Sequence, residues 1–264
     1  MRAMQSNNPV FQRNETLARS MQQGVGFGTP APTAEDVAAI YGTPQRLTLD
    51  DIIVKTGVLL GIIAVLGAAS WVLDFGMGIG LIAALVGFGL AMVNIFKKQV
   101  SPPLVLAYAA AQGVFLGTIS HVYNDAYSGI VVQAVLGTVA VFAAVMFGYK
   151  SGRLRATPKF RKVVTFGLIG MVGVLLVNIL VGAFVGGDPF GISGGNTGVS
   201  ILFTAGLIIF GALTFVLDFD QADAMIAAGV PEQESWRIAF GLVVGLVFLY
   251  LNLLRLLSYL QGGD

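Results

Sequence analysis

The chain has 264 residues, of which 56% are hydrophobic and only 11% charged, with a mean hydropathy of +0.82. Soluble domains carry about 25% charged residues, so this composition excludes an ordinary water-soluble fold. A net charge of +1 argues against nucleic acid as a partner, and the absence of cysteine removes disulfides, thiolate metal sites and cysteine nucleophiles together.

Residues 1–46 differ in kind from the rest. They are polar, with Pro and Gly scattered through GVGFGTPAPTAED, and contain no apolar run long enough for a signal peptide. They read as a mostly disordered cytoplasmic tail. A short interfacial helix over 34–41, after the N-cap candidate Thr33, is the alternative, and Pro44 ends either version.

Residues 47–264 read as one transmembrane domain. Seven apolar stretches follow one another, at 54–73, 78–96, 103–122, 129–149, 163–186, 200–217 and 238–260. Each has about 18–24 residues, enough to cross roughly 30 Å of hydrocarbon at about 1.5 Å per residue. Their length and lack of alternation predict helices, so the expected fold is an all-α bundle of seven membrane-spanning helices. Glycine pairs four apart, Gly57/Gly61, Gly113/Gly117, Gly182/Gly186 and Gly241/Gly245, predict faces where helices approach closely.

The basic residues set the orientation. With the N-terminus inside, Arg2, Arg13, Arg19, Arg46 and Lys55 come first on that side. Lys97 and Lys98 follow after the second span. Lys150, Arg153, Arg155, Lys159, Arg161 and Lys162 lie between the fourth and fifth spans, and Arg237 opens the seventh. Only Arg255 lies elsewhere, and the outer connections near Asp74, Asp125 and Asp188 carry no basic residue. The positive-inside rule therefore predicts a cytoplasmic N-terminus and an outer C-terminus. The expected location is the plasma (inner) membrane, as a multi-pass protein.

Ionisable and amide side chains at membrane depth are the functional candidates, because burying charge is costly. In FVLDFDQADAM, Asp218, Asp220 and Asp223 crowd into two turns, with Glu232, Glu234 and Arg237 beyond. Crowded carboxylates cannot all ionise freely in a low dielectric, so the cluster is a candidate proton or ion sensor. Its oxygens also suit a hard cation such as Ca²⁺. The plainer reading is an acidic loop, solvated or paired with the basic 4–5 connection. In YLNLLRLL, Asn252 and Arg255 share a helix face, and Arg255 is close enough to the outer end to snorkel. Helices six and seven run antiparallel, so no direct Asp218–Arg255 pair is expected. Gln112, near the middle of the third span, needs a partner, and Asn252 and Asn178 are candidates; a polar cavity lining is the alternative. Enzymatic readings are weak. The single histidine, His121, excludes a two-histidine metal site, and no convincing serine partner or phosphate loop is present. No cofactor, catalytic residue or resident metal is expected.

AYAAAQGVFLGTIS, the basic loop ending in TPKFRKVV, and LDFDQADAMIAAGVPEQESWRIAFGLVVGLVFLYLNLLRLL together resemble the Bax inhibitor-1 (transmembrane Bax inhibitor motif) family, and its YccA-like bacterial branch in particular. The resemblance extends over about 48–260. It implies a seven-helix membrane protein, in a family where some members leak Ca²⁺ in a pH-dependent manner. Acidic residues near the cytoplasmic ends of helices six and seven then hold the pore shut. Other members are associated with protection against cell death or with regulation of a membrane protease, which implies a non-conducting regulator with a membrane-protein partner as the alternative function. Asp218 matches the helix-six aspartate of the pore latch, with Asp220 its neighbour. The partner aspartate in helix seven is missing, with Gly245 at about its height. Gln112 and Asn252 stand where the family pattern has Glu. A two-carboxylate latch would therefore need Asp220 or Asp223 as its second member.

Overall fold

In the computed structural model, residues 46–192 and 198–262 are described. The expected tail, apart from Arg46, and the alternative helix at 34–41 lie outside the described residues. Seven long helices follow in chain order: α1 Leu49–Val72, α2 Met77–Phe96, α3 Pro102–Ala126, α4 Ile130–Lys150, α5 Pro158–Val185, α6 Gly198–Ala227 and α7 Ser235–Gln261. All are long and apolar enough to span a membrane, and no strand occurs among the described residues.

Local chemistry sets the helix starts. Thr48 caps α1 through a reciprocal box: its hydroxyl accepts from the Asp51 amide at 3.3 Å, and the Asp51 carboxylate accepts from the Thr48 amide at 3.0 Å. Pro102 and Pro103 open α3, and Pro158 opens α5 behind the Thr157 cap, positions where a missing N–H costs nothing. Two helices extend well past their apolar runs. α5 begins five residues early and takes Lys159, Arg161 and Lys162 into its first turns. α6 continues ten residues beyond Leu217, so the acidic stretch is helical rather than a loop. Hydropathy ends where the polar residues begin, whereas the helix continues until the turn Ala228–Gly229, where Gly229 has φ +63°.

α7 forms the axis of the bundle, packing against α1, α3, α4 and α6. α3 also packs against α1 and α2, while α5 leans mainly on α6 and among the described residues buries only Val164 and Asn178. One apolar cluster joins α1, α3, α4 and α7 around Leu59, Tyr108 and Val243; a second joins α4, α6 and α7 around Phe215 and Leu249. Large apolar side chains such as Phe96, Phe166 and Phe184 stay exposed, as a lipid-facing surface requires.

The glycine pairs divide. At Gly117 an added Cβ would lie 2.0 Å from the Ser70 hydroxyl and 2.1 Å from the Gly67 carbonyl, so α1 and α3 meet backbone to backbone. Gly241 and Gly245 lie beneath α6 side chains. Gly57 and Gly61, by contrast, have nothing within 4 Å of an added Cβ.

Charged and polar contacts gather at the two ends. At one, Leu47 donates to the Val230 carbonyl, Lys55 reaches Glu232 and Ser235 at 2.6 Å each, and Arg237 reaches the Lys98 carbonyl. The start of α1, the α2–α3 and α4–α5 connections and the α6–α7 turn therefore share one end. At the other, His121 sits 3.3 Å from Asp74 and stacks on Trp71, while Arg255 donates to the Ile192 carbonyl at 3.0 Å.

Candidate functional site

The acidic stretch of α6 turns its carboxylates to different sides. Residues two apart on an α-helix point about 200° away from each other. Asp218 faces α2 and α7, whereas Asp220 and Asp223 face α4 and the α4–α5 connection. Arg161 donates to Asp220 at 2.5 Å, and the Tyr149 hydroxyl donates to Asp223 at 2.7 Å. Neither aspartate can therefore complete a pair with Asp218, contrary to the expectation of a local cluster. Among the described residues no three acidic or histidine side chains converge as a metal site.

Asp218 lines a cavity of about 210 Å³ with Asn94 and Ile95 of α2, Gln221 of α6, and Arg237, Phe240 and Gly241 of α7. It has no hydrogen-bond or ion-pair partner among the described residues. Arg237 shares the cavity, but its guanidinium is engaged by Glu234 at 2.7 Å and by the Lys98 carbonyl at 2.7 Å. Asn94 is buried and turns its amide N–H to the Leu90 carbonyl. Phe240 also lines the cavity and meets Tyr108 of α3 edge to face at 5.0 Å.

The residue of α7 opposite Asp218 is Gly241, not Gly245. An added Cβ at Gly241 would lie 3.9 Å from the Asp218 carboxylate, whereas one at Gly245 would strike the Phe215 ring at 2.7 Å. The two helices cross one turn away from the height inferred from sequence. Asn94 and Gly241 are among the lining residues that sequence reasoning missed as members of this site. Their only signals were an amide near the end of the second span and membership of a glycine pair.

The mid-membrane amides stay apart. Gln112 is buried between α3 and α2, its Nε2 2.8 Å from where a Cβ on Gly87 would stand, and its Oε1 has no partner. Asn252 turns its amide back to the Phe248 carbonyl of its own helix at 2.8 Å. Asn178 ties down the α5–α6 connection, donating to Asp188 at 2.7 Å and accepting from the Phe190 amide at 3.0 Å. Neither asparagine meets Gln112, and neither Gln112 nor Asn252 lines the Asp218 cavity. Arg255 does more than snorkel: besides Ile192 it reaches the Tyr259 hydroxyl at 2.6 Å and lies over that ring. It stands at the end of α7 away from Asp218, as the antiparallel arrangement requires.

Seven spanning helices with α7 at their centre, and an unpaired aspartate where α6 crosses it, define a multi-pass membrane protein with a polar cavity at one end. The family model described as Bax inhibitor 1 like matches residues 8–262, and the chain belongs to that family. It is also similar to an uncharacterized protein of Chlamydia muridarum (strain MoPn / Nigg), 27% identical over 157 residues, which are 60% of this chain and 61% of that one. The chain thus spans about three fifths of the length of the curated relative it matches.

Proposed function

We propose that the protein is a pH-sensitive cation leak, carrying Ca²⁺ or H⁺, in which Asp218 is the group that meets the ion. The observation that carries this reading is the unpaired Asp218 carboxylate in a cavity it shares with Asn94 and Arg237. A carboxylate kept from a basic partner at the rim of a spanning bundle is a functional group by default, since structural charges there are normally paired. Protonation would remove its charge from the cavity, which supplies the pH dependence. In this reading the cavity opens to the cytoplasm, because the basic residues gather at its end. The protein then sits in the plasma membrane with its N-terminus inside.

Flux in reconstituted liposomes tests it. Ca²⁺ or H⁺ efflux through the wild-type protein should change between acidic and neutral pH, and Asp218→Asn should abolish that dependence. Flux indistinguishable from empty liposomes would sink the leak and leave a non-conducting regulator of a membrane-protein partner. Flux with the same pH response in Asp218→Asn would remove Asp218 from the mechanism.

A further inference from the structure

Between α1 and α4 the bundle is open along its whole height. Both helices pack on α7, but they scarcely meet one another. The gap holds two clefts, of about 520 Å³ and about 900 Å³, which meet at Leu60. The first runs beside α1 from Leu60 to Val72, with walls as apolar as Val131 and Val247. The second runs from Leu60 back to Leu49 and ends against the α4–α5 connection. Ile53, Val135 and Val139 at the mouths are exposed, so in a spanning protein the clefts open sideways onto the hydrocarbon.

The second cleft changes character towards its end. Lys150 and Arg155 stand at the mouth, and the Lys150 ammonium has no partner among the described residues. The two acids at the same mouth are already engaged: Asp220 by Arg161, and Asp223 by the Tyr149 hydroxyl. Arg161 neutralises Asp220, whereas the Tyr149 hydroxyl leaves the Asp223 charge in place, so Lys150 and Arg155 outweigh one carboxylate and the mouth stays positive. From Leu49 to Leu60 α1 rises about 16 Å, roughly half the thickness of a hydrocarbon core.

We propose that this cleft holds one anionic phospholipid from the leaflet that faces the α4–α5 connection. Its phosphate lies between Lys150 and Arg155, and one acyl chain runs between α1 and α4 towards Leu60. The phosphate supplies acceptors for Lys150 and Arg155, and the acyl chain covers the apolar walls that α1 and α4 leave bare. The proposal is independent of ion conduction, since the cleft lies on the opposite side of α6 from the Asp218 cavity.

The test uses the full chain, purified in detergent, stripped of lipid and titrated with phosphatidylglycerol or phosphatidylcholine, with bound lipid counted by native mass spectrometry. One phosphatidylglycerol per chain should bind roughly tenfold or more tightly than phosphatidylcholine, the factor that two basic side chains near an anionic headgroup supply. Lys150→Gln combined with Arg155→Gln should erase that preference. Gly57→Phe, at a cleft position where an added Cβ meets nothing within 4 Å, should abolish binding of either lipid. Gly89→Phe, equally open but on α2, should bind as the wild type does. Equal binding of the two lipids by the wild type overturns the proposal, as does Gly57→Phe binding like Gly89→Phe. Inorganic phosphate raising the unfolding temperature as much as phosphatidylglycerol would show a headgroup site without a chain, and overturn it too. A change of oligomeric state in Gly57→Phe would assign the cleft to a second copy instead. The loop variant alters exposed side chains, so its arm stands even if Gly57→Phe does not fold.

Discussion

Placing a second carboxylate opposite Asp218 tests the geometry of the α6–α7 crossing directly. Gly241→Asp would place its Cβ 3.9 Å from a carboxylate oxygen of Asp218, so its own carboxyl, one bond further out, stands within reach of the first at roughly 3–5 Å. Two like charges at about 4 Å repel by about 4 kcal/mol at an effective dielectric of about 20. The repulsion vanishes once either carboxyl takes up a proton. Gly241→Asn has the same shape without the charge and reports the steric part alone. Thermal unfolding in detergent across pH 4–9 should therefore show Gly241→Asp well below Gly241→Asn at high pH, the two converging as the pH falls. The same change at Gly245 would instead clash with Phe215 at every pH. Equal stability of Gly241→Asp and Gly241→Asn throughout would mean that Gly241 does not face Asp218, and the crossing described above would be wrong.

Other substitutions probe the rest of the bundle. Gly117→Ala must push α1 from α3 and should destabilise by about 1–3 kcal/mol in the same unfolding assay, whereas Gly61→Ala, with open space at its Cβ, should be neutral or stabilising; equal effects would contradict the close approach. Gln112→Met removes a buried oxygen that has no partner, so stability should hold or rise, and a loss of more than about 1 kcal/mol would mean that Oε1 is satisfied in the membrane. Arg255→Ala leaves the Ile192 carbonyl without its guanidinium and should cost about 1–3 kcal/mol, with faster amide exchange at Phe190 and Ile192; unchanged exchange would reduce Arg255 to a surface charge.

Much of the fold was legible in the sequence. Apolar run length found all seven helices, and glycine spacing marked the close-packing face of α3 at Gly113 and Gly117 but not the helix that meets it. The site was less legible. Asp218 stood out because it directly follows an apolar run, but the cluster drawn around it came from adjacency along the chain. Adjacency misleads on a helix: Asp220 turns to Arg161, and Asp223 to Tyr149. The same applies to the amides, whose pairing was inferred from similar depth although Asn178 and Asn252 point elsewhere.

The sequence by itself determined which segments become helices and at which end the basic residues collect. In a bilayer each helix satisfies its own backbone, so that choice depends on local composition alone. Only the tertiary structure decided which faces meet. It put Gly241 rather than Gly245 beneath Asp218, left α1 and α4 apart, and kept Gln112 from Asn252. Helix rotation and the height of each crossing decide those contacts. A shift of one turn, about 5 Å, changes the partner of a buried carboxylate while leaving the hydropathy of the chain untouched.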